Sequence, residues 1–176
     1  MKKIKVHCAY DEMVDITRLV PNPRNANQHS DRQIELLARI IEHQGWRAPI
    51  TVSKRSGFIV RGHGRLMAAQ LLGLDEVPVD YQDYANEAEE WADLIADNRL
   101  AELSEMDNEM LKDLIQEIDS EEFDLTLTGY DEDTLESLLT PIDIDDFFRD
   151  NEESSNEKEK EKEVIICPYC GRAIEE

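Results

Sequence analysis

Residues 60–73 read VRGHGRLMAAQLLG, and this stretch decides the fold. A β-branched run, Phe58 to Arg61, enters two closely spaced glycines and then an apolar helix in which Leu66, Met67, Ala69, Leu71 and Leu72 recur before Gly73 ends it. A helix start has unpaired N–H groups and a partial positive charge, so a strand turning through glycine into a helix is a ready anion cradle. Gly62 and Gly64 admit a phosphate to the backbone, Arg65 offers a fork of donors, Arg61 stands close by, and His63 is a donor or a proton carrier. The alternative is that both glycines only make a tight turn, and the residue types alone leave the two readings open.

Working outward, Pro49 to Ser53 and Phe58 to Arg61 form a hairpin through KRSG, and Val77 to Tyr81 is a further strand. Upstream, PNPRNANQHSD at 21–31 is a loop, after which Ser30 or Asp31 caps a helix with Ile34, Leu37, Ala38 and Ile41 on one face and Gly45 at its end. Lys3 to Cys8 is a candidate strand. Downstream the pattern turns helical. Asn86 and Glu89 make a capping box before a stripe of Ala88, Trp91, Ala92 and Ile95. Asp107 opens a helix with Leu111, Leu114, Ile115 and Ile118, and Asp131 opens one with Leu135, Leu138 and Leu139. FDLTLTGY between these two is a strand or an ordered linker; periodicity does not decide.

The formal charge of −22 is unevenly spread. Through Tyr84 there are 12 Lys and Arg against 10 Asp and Glu; from Ala85 onward there are 7 against 31. No apolar run reaches eighteen residues and the N-terminus lacks a signal core, so a soluble, cytoplasmic protein with reduced cysteines is expected and no membrane is implied. The organisation expected is a core at 1–84, an acidic helical extension at 85–141, a disordered acidic linker at 142–163 and a tail at 164–176. In that tail Cys167 and Cys170, in CPYCG, form half of a zinc knuckle; redox use and an unoccupied tail are the alternatives.

The succession MVDITRLVPNPRN, GWRAPITV, a hairpin, IVRGHGRLMAAQLLGL and EVPVDY, from about Val14 to Glu102, resembles the N-terminal domain of the ParB family, in the ParB/sulfiredoxin superfamily. The resemblance implies an α+β fold, a small mixed sheet with packed helices, and a pocket for a nucleoside triphosphate, CTP or ATP, with Mg²⁺. It places the nucleotide on Arg24 and Asn25 of the loop, Gly62, His63, Gly64 and Arg65 of the box, and Asn98 and Arg99 of ADNRLAEL, with Asp97 beside them. The chain departs from ParB in carrying His63 and Gly64 where glutamate and arginine are typical, and it lacks the cysteine that sulfiredoxin chemistry uses. The histidine form of the box looks like the variant of phage and methyltransferase-associated proteins. Function is therefore expected to be that of a ParB-like accessory protein in DNA partition, modification or regulation, with a cycle that closes a homodimer. DNA is expected at the N-terminal half. The acidic half is expected to dock a protein partner or to compete with DNA. The rivals are a slow nucleoside triphosphatase, nuclease or phosphotransferase using His63 or Asp97 as acid or base, and a non-catalytic interaction module.

Overall fold

The computed structural model describes residues 3–119 and 123–140, together with two short strands, Ile165–Ile166 and Ala173–Ile174. The chain divides into two compact units, Met1–Leu135 and Glu136–Glu176.

The first unit is α+β. Strands β1 (Glu12–Asp15), β2 (Ile50–Ser53), β3 (Ile59–Arg61) and β4 (Glu76–Gln82) form one mixed sheet in the order β1-β4-β2-β3. Central β4 pairs antiparallel with β1 and parallel with β2, so that Val79 stands opposite both Glu12 and Ile50. Helix α1 (Asp31–Gln44) buries Ile34, Ala38 and Ile41, and α2 (His63–Leu71) buries Leu66, Ala68 and Ala69. These side chains close a single core with Trp46, Ile50, Ile59, Val77 and Val79. Fully burying one of the Val, Leu or Ile side chains contributes about 1.5–3 kcal/mol.

Local chemistry sets the ends of α1. The Ser30 hydroxyl accepts from the Gln33 N–H at 3.2 Å, and Gly45, at φ 76°, ends the helix. A Cβ on Gly45 would lie 2.5 Å from the Lys5 carbonyl oxygen, so only glycine lets the N-terminal segment pass. That segment makes a single bridge, Val6 to Trp46, rather than the strand expected over Lys3 to Cys8, and the edge of the sheet is Glu12–Asp15 instead. Paired through backbone bonds from His7 and Cys8 to the Trp46 carbonyl, it is tied to a loop and has no sheet edge to extend.

Helix α3 (Glu87–Glu102) begins as expected: the Asn86 side chain accepts from the Glu89 N–H at 3.0 Å, and the Glu89 carboxylate reaches back to the Ala85 N–H at 2.9 Å. Its inward face is different. Glu90 and Leu94 are buried, whereas Ala88 and Ala92 are exposed and Ile95 is 65 % exposed. The apolar stripe expected there is corrected to a polar face whose carboxylates find hydroxyls and guanidinium groups on β3 and its hairpin. Helix α4 (Asn108–Ile118) buries Ile115 and exposes Leu114 and Ile118, so the face expected there is narrower. The segment FDLTLTGY contains a 3-10 turn at Leu125–Thr128, and α5 (Glu132–Leu139) buries Leu135. Among the described residues, no helix is long and apolar enough to cross a membrane.

In the second unit, β5 (Ile165–Ile166) and β6 (Ala173–Ile174) pair antiparallel, Ile165 opposite Ile174. Cys167, Cys170 and the stretch expected to be a disordered linker lie outside the described residues.

Candidate functional site

Strand β3 becomes α2 within one residue because Gly62 takes up the left-handed conformation, φ 93° and ψ 27°. The Leu66 N–H bonds back to the Gly62 carbonyl, so the amides of His63, Gly64 and Arg65 precede the first helical bond and point out of the helix start. They open on a hollow of about 160 Å³. Of the residues singled out in the sequence, Asn25, Gly62, His63, Gly64, Arg65, Asp97 and Asn98 line it. Arg24 and Arg99 do not. They line an adjoining hollow of about 200 Å³, which shares Asn25, Asn27 and Asn98 with the first.

Arg65 folds back over the helix start. Its Nε and one terminal nitrogen come within 3.0 Å of where a Gly62 Cβ would be, which is a second reason for glycine there. The Nε is buried and has no hydrogen-bond partner among the described residues. Burial pushes the guanidinium pKa down, and the Asp97 charge opposes that shift. Arg61 faces α3: it pairs with Asp93, and its Nε lies 3.5 Å from Asp97. The Tyr84 hydroxyl donates to Asp93 at 2.7 Å, completing a polar hinge between β3 and α3.

His63 is held by the loop in front of it. Its Nε2 accepts from the Asn22 N–H at 3.2 Å, which puts the single proton of the neutral ring on Nδ1. Burial, then the nearby His29, lowers its pKa and favours that neutral form. His63 thus has a donor to offer a ligand, while its basic nitrogen is occupied. Asn22, at 5 % exposure, organises the loop: its side-chain oxygen accepts from the Arg24 N–H at 2.9 Å and its carbonyl from the Asn25 N–H at 3.0 Å. Its Nδ2 is buried and makes no hydrogen bond among the described residues.

The remaining candidates are engaged elsewhere. The Arg24 guanidinium stacks 4.6 Å from the Trp91 ring centre. Asn98 accepts from Asn27 Nδ2 at 2.6 Å and donates to the Leu94 carbonyl at 3.1 Å; Arg99 pairs with Glu102 at 2.8 Å. Asn22, Asn27, His29 and Glu90 escape sequence reasoning. The imidazole of His29 lies 3.2 Å from where a Gly64 Cβ would be, so it packs on the glycine box. Glu90, 1 % exposed, accepts from the Ser53 and Ser56 hydroxyls at 2.7 Å each and pairs with Arg55 at 3.1 Å, fixing α3 to the hairpin. Only the SxxS spacing across the hairpin hinted at such a pair of donors.

Comparison with known proteins fits this geometry. The model of the ParB N-terminal domain matches residues 3–97. The chain belongs to the ParB N-terminal domain family. A model of the ParB-methyltransferase HTH domain matches residues 109–168. Among ParB-like proteins, the ParB-like nuclease domain-containing protein YnaK of Escherichia coli K12 is 41 % identical over 64 residues, 36 % of this chain and 72 % of that protein. A crystal structure of the C-terminally truncated chromosome-partitioning protein ParB from Caulobacter crescentus, complexed with CTP-gamma-S, has the same fold. Its TM-score is 0.60 at 18 % identity, over 83 % of this chain and 88 % of that one.

Proposed function

We propose that this chain is a ParB-like nucleotide-binding protein that acts with DNA, and that the hollow before α2 takes the phosphate chain of a ribonucleoside triphosphate. One observation carries the reading. The buried side-chain nitrogens and oxygens that make no hydrogen bond among the described residues are Asn22 Nδ2, Arg61 Nε and Arg65 Nε, all donors; Arg61 Nε still faces Asp97 at 3.5 Å, so Arg65 Nε is the unpaired donor that lines the hollow. A buried donor left unpaired costs about 1–3 kcal/mol, and an acceptor-rich anion offsets that cost. The three amides at the helix start and the Nδ1–H of His63 add donors in the same place. The C. crescentus relative, crystallised with CTP-gamma-S, supports a nucleotide as the source of the phosphates.

Arg65 and the amides of Gly64 and Arg65 would hold phosphate, with Arg24 recruited from Trp91 and Arg99 from Glu102. The adjoining hollow continues along Asn25 and Asn98 toward both arginines. Together the two hollows reach the lower end of the volumes that small-molecule sites occupy, about 300 Å³. Asp97, a hard oxygen donor at 44 % exposure that now faces Arg61, would hold Mg²⁺ together with phosphate oxygens. Asn98 would first have to release Asn27. On this reading the nucleotide-binding unit includes α3 as well as residues 1–84. Zinc on Cys167 and Cys170, a homodimer, a methyltransferase or phage setting, and a partner for the acidic half are further parts of the proposal. Metal analysis of the wild type beside Cys170→Ser tests the first.

Calorimetric titration with Mg-CTP, Mg-ATP, Mg-GTP and Mg-UTP tests the nucleotide. Saturable binding of at least one, lost in Arg65→Ala, is expected; no binding of any would leave an interaction module. A hydrolytic reading draws on the name of YnaK. Nicking of plasmid DNA or release of phosphate that stops in Asp97→Asn and His63→Gln, with folding retained, would establish it.

A further inference from the structure

Away from the hollow, the acidic segment that follows α4 lies along α1 and meets its arginines one for one. Arg32 donates to Asp131 Oδ2 at 2.6 Å. Arg39 donates to Asp124 Oδ2 at 2.9 Å and to the Thr126 hydroxyl at 2.7 Å. Gln44 reaches the Leu127 carbonyl at 3.4 Å, and Leu127 itself is buried. Each aspartate serves two groups. Asp124 Oδ1 accepts from the N–H and hydroxyl of Thr126, and Asp131 Oδ1 accepts from the Thr134 N–H, so both cap their own helical turn while Oδ2 takes an arginine.

The spacing is matched on the two sides: seven residues separate the arginines and seven separate the aspartates. Seven residues of α-helix advance about 10.5 Å. Guanidinium groups are suited to phosphate oxygens, and the acidic segment offers these two carboxylates instead. The pairs are open to competition: the arginine side chains are 78 % and 50 % exposed and their partners 43 % and 46 %. Exposed pairs of this kind are weak and salt-screened. Glu35, Glu132 and Asp133 line the groove between α1 and this segment, and Asp31 and Glu42 lie on the same helix, so the positive charge that α1 can offer is confined to the two arginines and the contact stays modest.

We propose that residues 124–131 are an electrostatic clasp that covers a nucleic-acid-backbone contact on α1, and that duplex DNA opens the clasp by taking Arg32 and Arg39 from Asp131 and Asp124. The clasp rests on the reading that the chain acts with DNA and is independent of whether a nucleotide occupies the hollow.

The test is fluorescence anisotropy with a labelled duplex of arbitrary sequence at low salt, using the full chain. Asn caps a helix as well as Asp, so Asp124→Asn with Asp131→Asn keeps both turns and removes only the charge offered to arginine. This variant is expected to bind up to about tenfold more tightly than wild type, since each exposed pair withholds little. The control is Asp113→Asn with Glu117→Gln on α4, an equal charge change away from the clasp, which is expected to gain far less. Arg32→Gln with Arg39→Gln should lower the salt slope of binding by about two. Adding duplex to wild type should speed hydrogen exchange at Leu127, whose N–H bonds to the Asp124 carbonyl at 3.0 Å. Equal gains in the clasp variant and the control, an unchanged salt slope, or undiminished protection at Leu127 with duplex bound would each overturn the proposal.

Discussion

Helices α2 and α3 both hold to strand β3, and they do so by opposite means. Helix α2 follows the strand through one glycine and buries Leu66, Ala68 and Ala69 in the core, whereas α3 faces β3 and its hairpin with Glu90, Asp93 and Asp97. Apolar packing fixes the first helix regardless of salt or mild acid. Ion pairs and charge-assisted hydrogen bonds, beside one buried apolar side chain, Leu94, fix the second, and it is the second that carries Asp97 and Asn98 to the hollow. The rigid wall of the site is thus hydrophobic in origin and the opposing wall electrostatic.

The sharpest way to break this contrast is to damage each attachment separately. Ile59, fully buried on β3, is expected to cost about 2–5 kcal/mol of global stability on change to Ala, measured by urea unfolding. Glu90→Ala leaves two serine hydroxyls and Arg55 without their shared acceptor and should cost about 1–3 kcal/mol. Its signature should be local: faster hydrogen exchange in α3 with little change in β2 and β4. Equal loss of protection throughout the sheet would mean that α3 is part of the apolar core after all.

Gly62→Ala should cost about 1–2 kcal/mol for a left-handed backbone. It should also displace Arg65, so nucleotide affinity is expected to fall by more than stability does. A smaller effect comes from acid. Burial raises the pKa of Glu90, but the Ser53 and Ser56 hydroxyls and Arg55 outweigh it and hold the group below its usual range. Burial likewise raises Asp93, and Tyr84 and Arg61 outweigh it. A carboxyl depressed in the folded state adds stability that is fully present above the unfolded pKa, about 4, and is lost as pH falls through the lower folded value. The stability gap between wild type and Glu90→Gln should therefore narrow below pH about 4 and stay constant above it, as thermal unfolding would record.

The same contrast governs how much was legible in the sequence. The hairpin, β4, α1 and α2 follow from β-branched runs, from Ile34, Ala38 and Ile41 at helical spacing, and from Ser30, Gly45 and Gly73 at the ends. The turn through Gly62 into α2 was legible from the glycine box, and the anion cradle read there with Arg65 is the reading proposed above. The inward face of α3 was not, because a carboxylate such as Glu90 reads as solvent-facing until its three donors are brought together by the fold. The Asn22 to His29 loop was equally closed to inspection. It is built from bonds that the Asn22 and Asn25 side chains make to the backbone of Arg24 and Asn27, which have no period to detect.

The central claim is that unpartnered donors around Gly62 hold a phosphate chain. Its most direct test is an NMR titration of ¹⁵N-labelled protein with inorganic tripolyphosphate and then with Mg-CTP, following the amides of His63, Gly64 and Arg65 and the Nε–H of Arg65. The account predicts saturable shifts at these four groups in both titrations, with the Arg65 Nε–H newly protected from exchange. Unmoved resonances there, while binding is detected elsewhere on the chain, would contradict it.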